Sequence, residues 1–513
     1  MTKYLAGVDV GTTGARCIIF DLKGNAVGDD YREYGATYPH PGWVEQDADE
    51  LVGQTMEACR AAIAKSGIDP KAIAAVGFST QRSVTVPIDK EGRMVRPVLG
   101  WQDARTGAEV AEMQALIDSQ DYHNTSGMPM GTTWLISKVL WMRKNEPELY
   151  AKTARFIQVQ DLVLKAFGAE AYHTDAPDMA FYGVWDIGKV EWSERLCELF
   201  GVRPEMFGTP TPAGTQVATI SPALSEKTGF AVGTPVCVGA GDQNCGVVGM
   251  GSIEPGMATV TLGTAGLAIV SLSKPIEGTG GLMITNHAVP GMWEAEGLTN
   301  AAASSYRWFR DTVGTLEKEA ASHNGRTAYE YLNDLAAAAG PGSKGLLYLP
   351  FLATAATPRW NANARSAFIG MSFAHGRGEL ARSVMEGVVL EIRDIMQSWY
   401  KAGVEVDVLR LGGGATKSAL WNQIQADVYG KPVQTLKVGE STALGAALLG
   451  GVGAGVFSSI KEGVDQLVEI TGQVEPNLAN HAIYEEMYVA YVKAYEALAD
   501  SGTFDELAGI QAH

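Results

Sequence analysis

The run Tyr4-Leu5-Ala6-Gly7-Val8-Asp9-Val10-Gly11-Thr12-Thr13-Gly14-Ala15-Arg16-Cys17-Ile18-Ile19-Phe20-Asp21 reads as a strand, a tight Gly/Thr turn and a second strand, with a carboxylate inside the first. Gly11 and Gly14 are expected to take positive φ and to let an anion approach bare backbone. The N–H groups of the turn and the hydroxyls of Thr12 and Thr13 are donors for phosphate oxygens, and Asp9 stands where a hydrated Mg²⁺ would be held. By itself the pattern also suits an ordinary hairpin. It returns 252 residues later as Ala258-Thr259-Val260-Thr261-Leu262-Gly263-Thr264-Ala265-Gly266-Leu267-Ala268-Ile269-Val270, with Gly263 matching Gly11 and Gly266 matching Gly14. The repeat predicts two related α/β domains, 1–245 and 246–513, facing each other across a nucleotide cleft.

Composition agrees with that scale. A chain of 513 residues fits two large domains. Hydrophobic residues at 46% and charged residues at 19% are globular values, and no apolar stretch approaches the roughly 18 residues that span a bilayer. A strand begins almost at the first residue, so the expectation is a soluble, cytoplasmic chain without a leader. Five cysteines without CxxC spacing indicate neither a disulfide framework nor a zinc site. A net charge of −18 without a basic block argues against nucleic acid as a partner. It also means that ATP would need a site built locally from backbone donors and metal, which the two hairpins offer.

Between the hairpins, strands alternate with helices. Helical spacing runs from Glu45 to Lys65 and again around 106–118 and 134–145, while 73–79, 84–88 and 97–101 read as strands. Val236-Cys237-Val238-Gly239-Ala240-Gly241-Asp242 is a short apolar strand that delivers a carboxylate to its carboxyl end, where ligands sit in open α/β sheets. Asp242 there suits a base for a hydroxyl attacking a γ-phosphoryl group, or a plain helix cap. The second half repeats the alternation, with helices near 299–312 and at 379–399. A strand then leads into Gly412-Gly413-Gly414-Ala415 and a helix from about Ser418. That glycine turn suits a flat base or ribose, with Ala302 and Ala303 as a candidate opposite wall. Gln81-Arg82 and Trp101-Gln102-Asp103-Ala104-Arg105 end strands with groups suited to a polyol, an indole face covering C–H edges and polar groups meeting hydroxyls. Tyr484, Tyr488, Tyr491 and Tyr495 form a one-face helical stripe that reads as packing.

These residues together resemble the FGGY carbohydrate kinases of the actin-like ATPase superfamily, along nearly the whole chain. The most specific element is Ser366-Ala367-Phe368-Ile369-Gly370-Met371 followed, after seven residues, by Glu379-Leu380-Ala381-Arg382-Ser383-Val384-Met385-Glu386-Gly387. The first hairpin, Gly241-Asp242-Gln243, Leu262-Gly263-Thr264, and Gly412-Gly413-Gly414-Ala415 with Trp421, Gln423 and Asp427 stand in the family's order. A second family signature, around Thr133 to Asn145 with Lys138 and Trp141, is matched in part. The resemblance implies two ribonuclease H-like domains flanking a central cleft and an ATP- and Mg²⁺-dependent transfer to a sugar. It implies Asp242 as catalytic base, Asp9 and Asp242 as metal ligands, and a nucleotide site at Gly11, Thr12, Thr13, Gly263, Thr264, Ala302, Gly413, Gly414 and Ser418. The sugar-side candidates are Gln81, Arg82, Trp101, Asp103, Asp175, Asp242 and Gln243.

The acceptor is less specified. Gln81-Arg82 is similar to glycerol kinases, although Ser83 replaces their glutamate. Trp101-x-Asp103-x-Arg105 and Thr174-Asp175 resemble the pentulose and hexulose branch, and 289–292 with 307–311 resemble kinases of autoinducer-2. The expected acceptor is a ketose such as xylulose, with glycerol or autoinducer-2 as alternatives. An actin-like ATPase without sugar transfer is the alternative of another class. The expected partner is a small sugar, with neither nucleic acid nor membrane, and a homodimer is left open.

Overall fold

The computed structural model describes residues 3–279, 281–437 and 439–511. Contacts divide the chain into two compact α/β units. The first comprises Met1–Pro255, Ser271–Ala295 and Glu440–Glu469, the second Gly256–Val270, Glu296–Gly439 and Ile470–His513.

The first sheet has six strands in the order Gln216–Thr219, Pro235–Gly241, Ile73–Thr80, Tyr4–Val10, Gly14–Asp21, Ala26–Glu33. Tyr4–Val10 pairs antiparallel with Gly14–Asp21 and parallel with Ile73–Thr80, which in turn pairs parallel with Pro235–Gly241. Helices pack on the faces of the central strands, and Leu5, Ala6, Val8, Val10, Val76, Phe78, Val236 and Val238 are accordingly buried. The helix Ala48–Ser66 covers this sheet with Leu51, Ala58, Cys59, Ala62 and Ile63. It starts three residues later than the apolar spacing from Glu45 suggests. The Asp47 side chain caps the N–H groups of Asp49 and Glu50, while Glu45–Gln46 pairs with Val98–Leu99.

The helix Ser441–Gly453 packs on the same sheet through small residues. A Cβ at Gly7 would collide with the Ala443 carbonyl, one at Gly77 with that of Ala446, and one at Gly445 with that of Cys245. This close approach explains why 440–469 belongs with the first unit although it follows most of the second in sequence. The anticipated boundary after residue 245 falls inside the helix Asp242–Gly249, and the first unit continues to Pro255.

The second sheet repeats the plan. Trp293–Thr299, Gly266–Leu272, Met257–Leu262, Val408–Gly412, Val433–Leu436 and Ile470–Val474 follow one another across it, with Met283–Asn286 outside the first of them. Met257–Leu262 is antiparallel to Gly266–Leu272 and parallel to Val408–Gly412, as in the first sheet. All five cysteines are unpaired and buried. Among the described residues no helix is long and apolar enough to cross a membrane.

Candidate active site

In the first unit, two strand ends bring the acidic groups together. Asp9 lies opposite Ser79 on the neighbouring parallel strand, and the Ser79 hydroxyl donates to Asp9 Oδ1 at 2.9 Å. Burial, and then the charge of Asp242, push the Asp9 carboxyl up to about 7. Asp242 opens the helix Asp242–Gly249 at the carboxyl end of Pro235–Gly241. Its Oδ1 accepts from the Gln243 N–H at 2.8 Å and pairs with Arg82 Nε at 3.0 Å. The Arg82 guanidinium lies 4.6 Å from the centre of the Phe181 ring.

Behind this pair sits a group of carboxyls with little compensation. Asp175 caps the short helix Ala176–Met179, accepting from the Asp178 N–H at 3.1 Å, while its own N–H donates to Gln160 Oε1. Asp178 is wholly buried, and neither of its oxygens has a hydrogen-bond partner, nor does Asp175 Oδ2. A Cβ on Gly241 would collide with Asp178 Oδ1 and stand 2.5 Å from Arg82 Cδ, which places the Asp178 carboxyl beside both Arg82 and the strand end that carries Asp242. Burial raises the pKa of both carboxyls; the charge of Asp161 adds to the rise at Asp175, and those of Asp175 and Asp242 add to it at Asp178, against the opposing charge of Arg82.

The loop after Ile73–Thr80 is held at several points. Gln81 donates from its N–H to the Val10 carbonyl at 2.8 Å and from Nε2 to Gln46 Oε1 at 3.0 Å; Gln46 in turn donates to the Thr12 carbonyl at 2.8 Å. Trp101, 40% exposed, donates from Nε1 to Thr12 Oγ1 at 2.9 Å. Asp103 is wholly buried, accepting from Arg105 Nε at 2.8 Å and from the Val44 N–H at 2.7 Å, so its carboxylate supports the turn that carries Trp101.

The hairpin turns differ from expectation in one respect. Neither Gly11 nor Gly14, nor Gly263 or Gly266, has positive φ. Glycine is needed at 14 for close approach instead, because a Cβ there would stand 2.5 Å from the Arg32 carbonyl oxygen and the Tyr31 hydroxyl. The Tyr34 hydroxyl donates to the Gly11 carbonyl, and the Tyr34 N–H to the Thr13 carbonyl at 3.1 Å, so the turn's carbonyls are tied from behind.

In the second unit, the Gly263 and Thr264 carbonyls accept from the N–H groups of Ala303 and Ala302 at 2.8 and 3.0 Å, fixing the start of the helix Ala303–Thr312 on the second hairpin. Gly413 has φ 81°, and its missing Cβ would stand in the Leu262 backbone, so glycine is required there. Beside it opens a cavity of about 460 Å³ lined by Ala303, Tyr306, Tyr329, Asn333, Gly414, Ser418 and Trp421 among others. Tyr306 stacks on Tyr329 with centroids 5.8 Å apart and meets Trp421 edge-on at 5.4 Å. Ser418 caps the helix Ala419–Tyr429 and accepts from Asn333 Nδ2 at 3.2 Å. Gly414 and Ser418 thus line the cavity, Ala302 is buried beneath the hairpin, and Ala303 takes the wall position.

Sequence reasoning missed Asp178, Gln46 and the aromatic wall of Tyr306 and Tyr329. Only Asp178 had a local signal, as the third residue of a helix announced by Asp175 as cap with Pro177 behind it.

Family models match on both halves: the FGGY family of carbohydrate kinases, N-terminal domain, over residues 4–249, and its C-terminal domain over 258–454. A xylulose kinase of Staphylococcus epidermidis is 28% identical over 495 residues, 96% of this chain and 97% of that one. A glycerol kinase of Nitratidesulfovibrio vulgaris is 30% identical over 93% of this chain and 95% of its own, and an autoinducer-2 kinase of Salmonella paratyphi B is 30% identical over 97% and 96%. The crystal structure of a xylulose kinase from Lactobacillus acidophilus, 24% identical, covers 98% of this chain and all of its own with a TM-score of 0.90, a likeness of fold. The two repeated α/β units are those of a sugar phosphotransferase. The chain belongs to the FGGY family of carbohydrate kinases, enzymes that take ATP as phosphoryl donor.

Proposed function

We propose that this kinase phosphorylates a hydroxyl of a small neutral ketose of the xylulose type, with Asp242 as general base. The observation that carries the reading is the concentration of carboxyls at the Asp242 strand end. Arg82 Nε is paired with Asp242 Oδ1 at 3.0 Å and its Cδ lies beside the Asp178 carboxyl, so its charge is offset within the site, an environment that favours an uncharged, hydroxyl-rich acceptor over an anionic one such as gluconate. Gln81, Arg82, Gln243 and the open face of Trp101 are assigned to the sugar. Asp103 serves by holding the Trp101 turn, and Asp175 by holding Asp178. The turns at Gly11–Thr13 and Gly263–Thr264 are assigned to phosphates, and the aromatic cavity with Gly413, Gly414 and Ser418 to the adenosine. Asp9 and Asp242 fit a Mg²⁺ ion, since the charge of Asp242 raises the Asp9 carboxyl and a cation there would relieve that repulsion. Mg²⁺ is commonly held by one or two carboxylates and keeps waters and phosphate oxygens as its other ligands, so this pair is sufficient. When bound, it supplies charge neutralisation at the transferring phosphate.

Asp242 accepts the proton of the attacking hydroxyl, which requires that Arg82 leave its carboxylate or share it with the acceptor. A polyol acceptor is the second reading, favoured by the Gln81-Arg82 pair and by the glycerol kinase relative. Coupled ADP release with MgATP over xylulose, ribulose, glycerol, erythritol, gluconate, an autoinducer-2 precursor and a blank without acceptor tests the assignment. A ketopentose is expected to raise turnover at least about tenfold over the blank, a barrier lower than that of ATP hydrolysis by roughly 1.4 kcal/mol. Stimulation by gluconate alone, or none by any acceptor, contradicts it.

A further inference from the structure

Lys138 lies in the helix Leu135–Asn145 with its side chain wholly buried. Its ammonium donates to three main-chain carbonyls, those of Ser83 at 3.0 Å, Gly100 at 2.7 Å and Thr133 at 3.0 Å. An ammonium is the only side-chain head that offers three N–H donors and no acceptor, so the number and type of bonds match the residue. Two of the three carbonyls lie one residue from proposed sugar-side groups: Ser83 follows Arg82, and Gly100 precedes Trp101. Ser83 is one of the few non-glycine residues with positive φ, 61°. That conformation is held from both sides, by its N–H on Gln158 Oε1 at 3.0 Å and by its carbonyl on Lys138. Gln158 continues the chain of bonds, donating from Nε2 to the Asp178 carbonyl at 2.7 Å.

We propose that Lys138 is a positioning residue for the acceptor, a buried ammonium that fixes the peptides beside Arg82 and Trp101 in one arrangement. The proposal rests on the sugar-side assignment above. It uses no contact between lysine and substrate. Its partners all lie in the first unit, whereas the aromatic cavity assigned to adenosine lies in the second. Loss of the lysine should therefore weaken acceptor use far more than nucleotide affinity.

Lys138→Met keeps the apolar stem and removes all three donors; Lys138→Gln keeps two. Both are compared with wild type by hydrogen exchange and by KM for acceptor and for ATP. The expected result is exchange at least about tenfold faster in 81–86 and 99–105 of the Met variant, with the strands 4–10 and 235–241 unchanged. Acceptor KM should rise at least about tenfold, ATP KM should stay within about twofold, and the Gln variant should fall between Met and wild type. Unchanged exchange in both loops overturns the proposal. So does protection lost evenly through the first unit, or a Gln variant that cannot be obtained folded, since lysine would then be a staple of the fold. Exchange needs no sugar, so it decides the role of Lys138 even if no acceptor stimulates the wild type, an outcome that would sink the ketose assignment instead.

Discussion

Asp178 has a carboxyl with two buried oxygens that accept no hydrogen bond, next to Asp175, and burial raises its pKa. The native chain thus retains a proton that the unfolded chain loses above about pH 4. Stability from this group is full below that value and declines as pH rises towards the raised native pKa, by up to about 1.4 kcal/mol per pH unit. Asp178→Asn removes the titration with little change of shape. Urea unfolding at pH 5 and pH 8 should show the variant gaining on wild type by about 1 kcal/mol or more at the higher pH; a difference independent of pH would mean that the carboxyl is ionised in the native state. Asp9 and Asp242 were legible in the sequence because each stands at a strand end within two residues of a glycine, a pattern with a direct chemical meaning. Asp178 carried only the local signal of a helix start; its role was hidden because its neighbourhood is made by Gly241 and Arg82, distant in sequence and adjacent only after folding.

Among elements, the helix Ser441–Gly453 has the most to do with the site while contributing no side chain assigned to chemistry. It packs backbone to backbone on the sheet and on the helix that begins with Asp242. Gly445→Ala places a methyl into the Cys245 carbonyl, three residues beyond Asp242. Overpacking of this kind costs about 1–3 kcal/mol. The expected outcome is a loss of that size in urea melts together with a lower kcat; wild-type stability would mean the helices separate easily. The most specific sequence signature turned out to be structural. Glu386 accepts from Arg382 Nε and the Tyr484 hydroxyl at 2.7 Å and from the Gly342 N–H at 2.9 Å, while Glu379 caps its own helix through the Gly376 N–H. Asp427 likewise ties down the start of the helix Leu478–Asp500, on which the tyrosine stripe packs as expected. The signature identified the family without marking its chemistry. The aromatic cavity wall of Tyr306 and Tyr329 gave no signal, since aromatics at helical spacing read as core.

At the scale of the molecule, the echo of one Gly/Thr hairpin by another was enough to anticipate two sheets of the same plan, and strand order and pairing bear this out. What it did not reveal is that 271–295 and 440–469 belong with the first unit. A helix of glycine, alanine and leucine has no local feature that says which sheet it will cover; that is decided by the matching glycines of the sheet. The duplicated plan gives each unit one hairpin and one set of strand ends, the first rich in carboxyls and the second in aromatic surface. Asp242, at such a strand end, is the proposed base. The most direct test is the turnover of Asp242→Asn with MgATP and the best acceptor, alongside ATP binding by the same protein. A base of this kind accounts for about 10²–10⁴-fold, so kcat should fall by at least about 10²-fold while the variant still binds ATP. Turnover within tenfold of wild type would contradict the assignment.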